Sequence, residues 1–170
     1  MIKTPSAAEI VTRLSLKPHP EGGYFVETFR SATQLTLPDG RVRSAGTAIY
    51  FLLTAGTFSA LHRVASDETW HFYEGDPLEL STITAEGTLK TITLGRDLES
   101  RHVLQYVVPA GIWQGASPIN DGASKNEEYT LVGCTVSPGF DFADFEMPNR
   151  AELLRLFPEH TATIRKLTRS

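Results

Sequence analysis

Between residues 20 and 140 the chain never holds one helical pattern long enough to build a crossover. Instead it strings together short apolar or alternating runs: GTAIYFLLT, TFSALHRV, ETWHFYEG, LELSTIT, LKTITLG, HVLQYVVPAG, WQGAS and EYTLVGCTV. They recur at spacings of about 8 to 12 residues, broken by Gly, Pro and Asp, which is the rhythm of a sandwich or barrel and not of βαβ units. Parallel neighbours need long crossovers, usually helical, so the strands are predicted to pair antiparallel.

The ends of the chain read differently. Ser6 with Glu9 three residues on forms a capping box before IVTRLSL, whose Ile10, Val11 and Leu14 share one helical face. Pro18 and Pro20 end that helix. Dense aromatic and β-branched residues then predict a strand over about 23–30. PDG at 38–40 and AEG at 85–87 are hairpin signals. Near the C-terminus Asn149 can cap RAELLRLF, and Pro158 restarts a helical turn toward HTATIRKL. With 170 residues and no repeat or linker, one domain is expected over 1–170, with its barrel over about 20–142.

Composition excludes several function classes. Net charge is −4 with no block of like charges, so the clustered basic face of a nucleic-acid binder is missing. No apolar run reaches the 18 residues of a membrane span, and MIKTPSAAEI lacks the apolar core of a signal peptide. Cys134 is the only cysteine, which rules out an intrachain disulfide and fits a reducing compartment. A cytoplasmic protein without membrane or nucleic-acid partners is the expectation.

The stretch LHRVASDETWHFYEG concentrates the chemistry. Alternate side chains of a strand share a face, so Phe58, Ala60, His62 and Val64 fall together, opposite Ser59, Leu61 and Arg63. The first set is apolar apart from His62, which is therefore predicted to face inward. In the next run Glu68, Trp70 and Phe72 share one face, and Thr69, His71 and Tyr73 the other. A carboxylate between two aromatics on a buried face needs a partner: a histidine, an arginine, a metal, a backbone donor or a ligand. Asp67 is read as a turn cap, Cys134 as an inert buried thiol, and the two glycines of HPEGGYF as a tight turn in preference to a phosphate cradle.

This spacing resembles the first motif of the cupin superfamily: Gly, five residues, His-x-His, three or four residues, Glu, six residues, Gly. Gly56, His62, Glu68 and Gly75 occupy its places, with Val64 at the second histidine. The second cupin motif, Pro-x-Gly, two residues, then a ligand histidine, is matched by VPAGIWQG at Pro109 and Gly111, with Gln114 at the histidine. LKPHPEGGYFVETFRS, AIYFLL, HRVASDETWHFYEGDPLEL, VVPAGIWQGA and GCTVSPGFDFADFEM are together similar to the blocks of one cupin subfamily, small proteins long labelled a domain of unknown function.

The resemblance implies an all-β double-stranded β-helix, a jelly-roll barrel, with a short N-terminal helix and C-terminal helical segments. It also implies a homodimer and a small-molecule pocket inside the barrel. Large side chains on both faces of YFVETFR agree with coverage on both sides. The barrel shape is shared with sugar-nucleotide 3,5-epimerases, which need no metal and use a histidine base and a tyrosine acid. The leading expectation is thus a metal-independent isomerase or epimerase on a small polar, sugar-like substrate. His62 is its base, Glu68 orients His62 or shuttles a proton, and Tyr50 is its acid; Tyr73 is the other tyrosine considered, though parity turns it outward. Glu21, Trp70, His71, Trp113 and Gln114 are the expected ligand-binding residues. A non-catalytic binding module is the alternative. A metal-dependent cupin enzyme is the third reading. A divalent metal would rely on His62, Glu68 and Gln114, with His71 or Glu21 entering if a β-bulge re-aims a side chain. Valine cannot ligate and glutamine is a weak ligand, so the leading expectation is no cofactor.

Overall fold

The computed structural model describes residues 5–119 and 129–169. Helix α1 (Ala7–Arg13) leads into β1 (Lys17–Pro18), β2 (Tyr24–Arg30) and the small hairpin of β3 (Gln34–Thr36) and β4 (Val42–Ser44). The long strands follow: β5 (Thr47–Thr54), β6 (Ser59–Val64), β7 (Asp67–Gly75), β8 (Leu78–Ile83) and β9 (Leu89–Leu94). Then come β10 (Gln105–Val108), β11 (Trp113–Pro118), β12 (Tyr129–Ser137) and β13 (Phe145–Glu146), and the chain closes with α2 (Arg150–Leu156) and α3 (Thr161–Lys166). One sheet has the order β1-β2-β5-β12-β7-β10 and the other β13-β6-β11-β8-β9. Every pairing between these strands is antiparallel, as the spacing of the runs predicts, and the two sheets form the jelly roll that the cupin resemblance implies.

The local signals act where expected. Ser6 and Glu9 form a reciprocal capping box on α1, and Asn149 and Glu152 form another on α2. Gly40 and Gly87 take left-handed conformations in the PDG and AEG turns. Pro158 starts a short 3-10 turn into α3.

Among the described residues, three apolar clusters divide the burial. The central one lies between the sheets and includes Phe51, Leu53, Trp70, Phe72, Leu80 and Val132. A second joins Leu61, Ile83 and Trp113 of the five-stranded sheet's outer face to Leu153, Phe157 and Ile164 of the C-terminal helices. A third sets Ile10 and Leu16 against Leu52 and Tyr129 on the other sheet. Each such large side chain removed from water contributes roughly 1.5–3 kcal/mol. Much of the six-stranded sheet's outer face stays uncovered, with Phe29, Tyr50, Tyr73 and Val107 at 56%, 36%, 45% and 48% exposure. Among the described residues no helix is long and apolar enough to cross a membrane.

One prediction of facing fails. Strict alternation puts Ser59 opposite His62, yet the β6–β11 register shifts between the pairs Gln114↔His62 and Ala116↔Ser59. Partners two residues apart on β11 share a face, so an extra residue on β6 turns Ser59 inward beside His62.

Candidate functional site

A cavity of about 260 Å³ opens between the sheets, just below the usual small-molecule range of roughly 300–1,000 Å³. Its buried end carries Glu21, His62, Glu68, His19 and Cys134. Phe25, Ile49, Val64 and Val136 form apolar wall, and Glu27, Arg30, Phe140, Asp141 and Phe142 line the rest toward solvent.

Glu21 reaches the interior from a loop that the rest of the fold fixes in place. The His19 N–H donates to the Gly23 carbonyl, and the Gly22 N–H to the His19 carbonyl, each at 3.0 Å. The Glu21 carbonyl accepts the Ala60 N–H at 2.8 Å, tying the turn to β6. Gly22 and Gly23 have φ of +121° and +67°, and a Cβ on either would run into the Phe58 or Leu52 carbonyl oxygen. The paired glycines therefore serve backbone approach. From the other side Arg169 donates to the Pro20 carbonyl at 2.7 Å.

Two polar arrays stand side by side in this interior. In the first, Glu21 Oε1 accepts the Ser59 hydroxyl at 2.8 Å, while Oε2 lies 3.3 Å from His62 Nε2 and 3.6 Å from His19 Nδ1. Nδ1 of His62 donates to the Ala60 carbonyl at 2.7 Å, which leaves Nε2 with the lone pair. His19 Nδ1 accepts the Glu21 N–H at 3.3 Å, so the neutral ring carries its hydrogen on Nε2. Burial pushes Glu21 up to about 8, against the opposing Ser59 hydrogen bond and the charge of Arg169. Burial, aided by His62, brings His19 down to about 4. His62 is also lowered by burial, with the Glu68 charge and the Ala60 carbonyl opposing. At neutral pH a protonated carboxyl thus faces an unprotonated imidazole nitrogen, and together they hold one exchangeable proton.

The second array runs through Gln114. Its Oε1 accepts the Trp70 indole N–H at 2.8 Å and its Nε2 donates to Glu68 Oε2 at 2.5 Å. The Cys134 thiol also donates to Glu68. Burial raises Glu68, opposed by His62 and by these two donors and reinforced by Glu21. Desolvation drives the Cys134 thiol well above its ordinary value, so it is no nucleophile at neutral pH.

The structure therefore brings Glu21, His62 and Glu68 together, sets Gln114 and Trp70 behind Glu68, and places Trp113, Tyr50 and His71 away from the cavity. Trp70 is fully buried behind Gln114 in the central core. Gln114 is itself fully buried as the clamp between Trp70 and Glu68. Trp113 belongs to the outer cluster beneath the C-terminal helices, with the Arg63 guanidinium 4.5 Å over its ring. Tyr50 stands on the outer face of the six-stranded sheet, edge-on to Tyr73 at 5.9 Å, and cannot be the acid of a reaction inside the barrel. His71 is on that same outer face, its Nε2 3.0 Å from the Thr135 hydroxyl. Asp67 accepts the Ala110 N–H at 2.9 Å, which pins the loop before β11. Sequence reasoning missed His19 and Ser59. The signal for His19 is its place two positions before Glu21 in HPEGGYF; for Ser59 the register shift hides any signal.

The fit to a metal is poor. Val64 stands among the cavity walls where a second imidazole would be needed. Both polar atoms of the Gln114 amide are engaged by protein, its nitrogen aimed at the carboxylate it would have to join. Among the described residues no group of three or more His, Cys, Asp or Glu is arranged to hold an ion.

An antiparallel two-sheet jelly roll with a polar-ended cavity between the sheets defines a cupin-fold protein. Residues 8–148 match the sequence model of the family described as Cupin superfamily (DUF985), and the chain belongs to that family. It is similar to a hypothetical protein from Leishmania major, at 41% identity and TM-score 0.92, covering 98% of this chain and 100% of that one. Protein SO0799 from Shewanella oneidensis is similar at 38% identity and TM-score 0.87, over 98% and 99% of the two chains. An uncharacterized protein of Saccharomyces cerevisiae is 27% identical over 82% of this chain and 73% of its own. Oxalate decarboxylase from Bacillus subtilis shares the fold alone: 14% identity, TM-score 0.54, 88% of this chain against 36% of that one.

Proposed function

We propose that this cupin-fold protein is a metal-independent isomerase or epimerase acting on a small polar, sugar-like substrate. The observation that carries this reading is the contact between Glu21 Oε2 and His62 Nε2 at 3.3 Å, in a cavity open to solvent. That distance lies beyond the usual range of a firm hydrogen bond, so a substrate can part the pair. His62 then offers its Nε2 lone pair as base, its ring orientation fixed through Nδ1 on the Ala60 carbonyl.

The step balances without a further reagent. A C–H bond next to a substrate carbonyl breaks as its proton bonds to Nε2, while the Glu21 carboxyl gives its proton to the carbonyl oxygen. The resulting enol takes a proton back at carbon from the imidazolium, and Glu21 recovers its own from oxygen. Return to the other face of the same carbon, with Glu21 taking back the proton it gave, is epimerisation. Delivery to the former carbonyl carbon, with Glu21 taking instead the proton of the neighbouring hydroxyl, is isomerisation. Glu21 thus fills the acid's role in place of Tyr50. The uncovered outer face around Tyr50 and Tyr73 is where the expected homodimer would form.

The test is solvent exchange. Wild-type protein in D2O is mixed with free aldoses and ketoses from trioses to hexoses, and deuterium at carbon is read by mass spectrometry. Exchange is expected in wild type and is expected to fall by about 10²-fold or more in His62→Gln. Exchange unchanged in the variant refutes the assignment, and saturable binding without exchange makes the barrel a binding module.

A further inference from the structure

Glu68 is a buried carboxyl provided with donors but with no cation. It is 7% exposed and lines the cavity. Burial and Glu21 raise its pKa overall, while the Gln114 amide and the Cys134 thiol both donate to it and so favour the carboxylate, leaving it short of a positive partner. No lysine or arginine is among the groups that act on it; those are His62, Glu21, Gln114 and Cys134. Among the described residues the arginine lining the cavity is Arg30, and it is already used. Arg30 donates through Nε and Nη2 to the two Glu27 oxygens and through both Nη atoms to the Phe140 carbonyl. Asp141 lies beside it as a further negative charge. Neither imidazole supplies a positive charge, since burial lowers both.

Among the described residues, the charged and titratable groups around the cavity are therefore Glu21, Glu27, Glu68, Asp141 and Cys134 against Arg30, His19 and His62, with Arg169 acting on Glu21 from outside. A phosphate or carboxylate entering it meets no free cation among the described residues. An ammonium group meets a carboxyl with two donors already in place, and its charge adds to them in favouring the carboxylate against burial. The wall nearest solvent is built from Phe25, Phe140 and Phe142, and the last two rings meet edge to face at 5.0 Å. Aromatic faces beside carboxylates are the surroundings that organic cations seek.

We infer that the cavity takes a small organic cation, an amine of about single-ring size, whose ammonium group is countered by Glu68 while its body lies against the phenylalanine walls. This rests on the reading that the cavity is the substrate site, and it narrows the substrate from small and polar to amine-bearing. Glu21 and His62 remain free for the proton transfer. Nucleotide-linked sugars are excluded, because their diphosphate would face Glu27 and Asp141 with Arg30 already paired.

Three probes of one shape test it: benzylammonium, benzyl alcohol and benzoate, titrated into the full-length protein at pH 7 by calorimetry or ligand-observed NMR. Benzylammonium is expected to bind at least about tenfold tighter than the other two. Glu68→Gln should abolish that preference while benzyl alcohol still binds, and Glu21→Gln should keep it. Benzoate or benzyl alcohol binding as tightly as the amine overturns the inference, and so does a preference that survives in Glu68→Gln. Should Glu68→Gln not fold, the carboxyl 13C resonance of Glu68 in wild type decides. It must move on adding benzylammonium and stay put with benzyl alcohol, and an unmoved resonance overturns the inference. An amine preference without any deuterium exchange sinks the isomerase and leaves the cation site. Exchange on neutral sugars without amine preference does the reverse.

Discussion

The two polar arrays inside the barrel touch the same cavity but are built to different tolerances. Trp70, Gln114, Glu68 and Cys134 form a chain in which each polar atom of the Gln114 side chain has its partner, at 2.8 and 2.5 Å. Ser59, Glu21, His62 and His19 meet through one short hydrogen bond of 2.8 Å and two longer approaches of 3.3 and 3.6 Å. A satisfied buried network rigidifies a core, whereas loosely paired titratable groups hold a proton that can move. The comparison assigns holding to the first array and proton exchange to the second.

The sharpest break in that comparison is Glu21→Gln, which keeps the shape of the loose array and removes its proton chemistry. Glu21 ionises near 8 when folded, against an ordinary 4.5. Between those pH values the folded state holds a proton that the unfolded chain has released, so this group lowers stability steadily as pH rises from 4.5 to 8. Below 4.5 both states are protonated and the cost vanishes; above 8 it is fully present. At about 1.36 kcal/mol per pH unit the span amounts to about 5 kcal/mol. Urea unfolding of wild type should weaken across this window relative to Glu21→Gln, and parallel pH profiles would refute the buried protonated carboxyl.

The satisfied array predicts a different signature, large but with no comparable slope. Gln114→Leu fills similar space yet leaves the Trp70 N–H without its acceptor and Glu68 without its amide donor. Each stranded buried group costs about 1–3 kcal/mol, so a loss of about 3 kcal/mol is expected at pH 6. Thermal or urea unfolding reads it directly. A loss below about 1 kcal/mol would mean that the array is not the rigid half of the pair.

The sequence revealed these arrays unequally, for reasons that lie in particular strands. ETWHFYEG alternates cleanly because β7 has one face in the core and one toward solvent, so the inward set Glu68, Trp70 and Phe72 could be read off. GTAIYFLLT could not be phased in the same way. Leu52 is buried under α1 while Phe51 and Leu53 are buried between the sheets, so the run is apolar on both faces and gives no sign that Tyr50 points outward. Trp113 misleads similarly, since α2 and α3 bury the outer face of its sheet. The His19–Glu21 turn carries no periodicity at all. Its contact with His62, 41 positions away from Glu21 (62 − 21), forms only when the loop packs against the start of β6.

Ser59 tests the smallest part of the comparison, the one short bond in the loose array. Its inward direction depends on the register shift opposite Gln114 and Ala116, so the fold has committed an irregularity to placing this hydroxyl on Glu21. Ser59→Ala removes a donor that favours the carboxylate, and Glu21 should then ionise at still higher pH. The expected stability loss is about 1 kcal/mol, confined to pH values where Glu21 is at least partly ionised in wild type. Carboxyl 13C titration of Glu21 in both proteins reads the midpoint. An upward move in the variant makes Ser59 the group that keeps Glu21 within reach of neutral pH. An unmoved midpoint would assign that role to Arg169, which acts on the same carboxyl from the C-terminal segment.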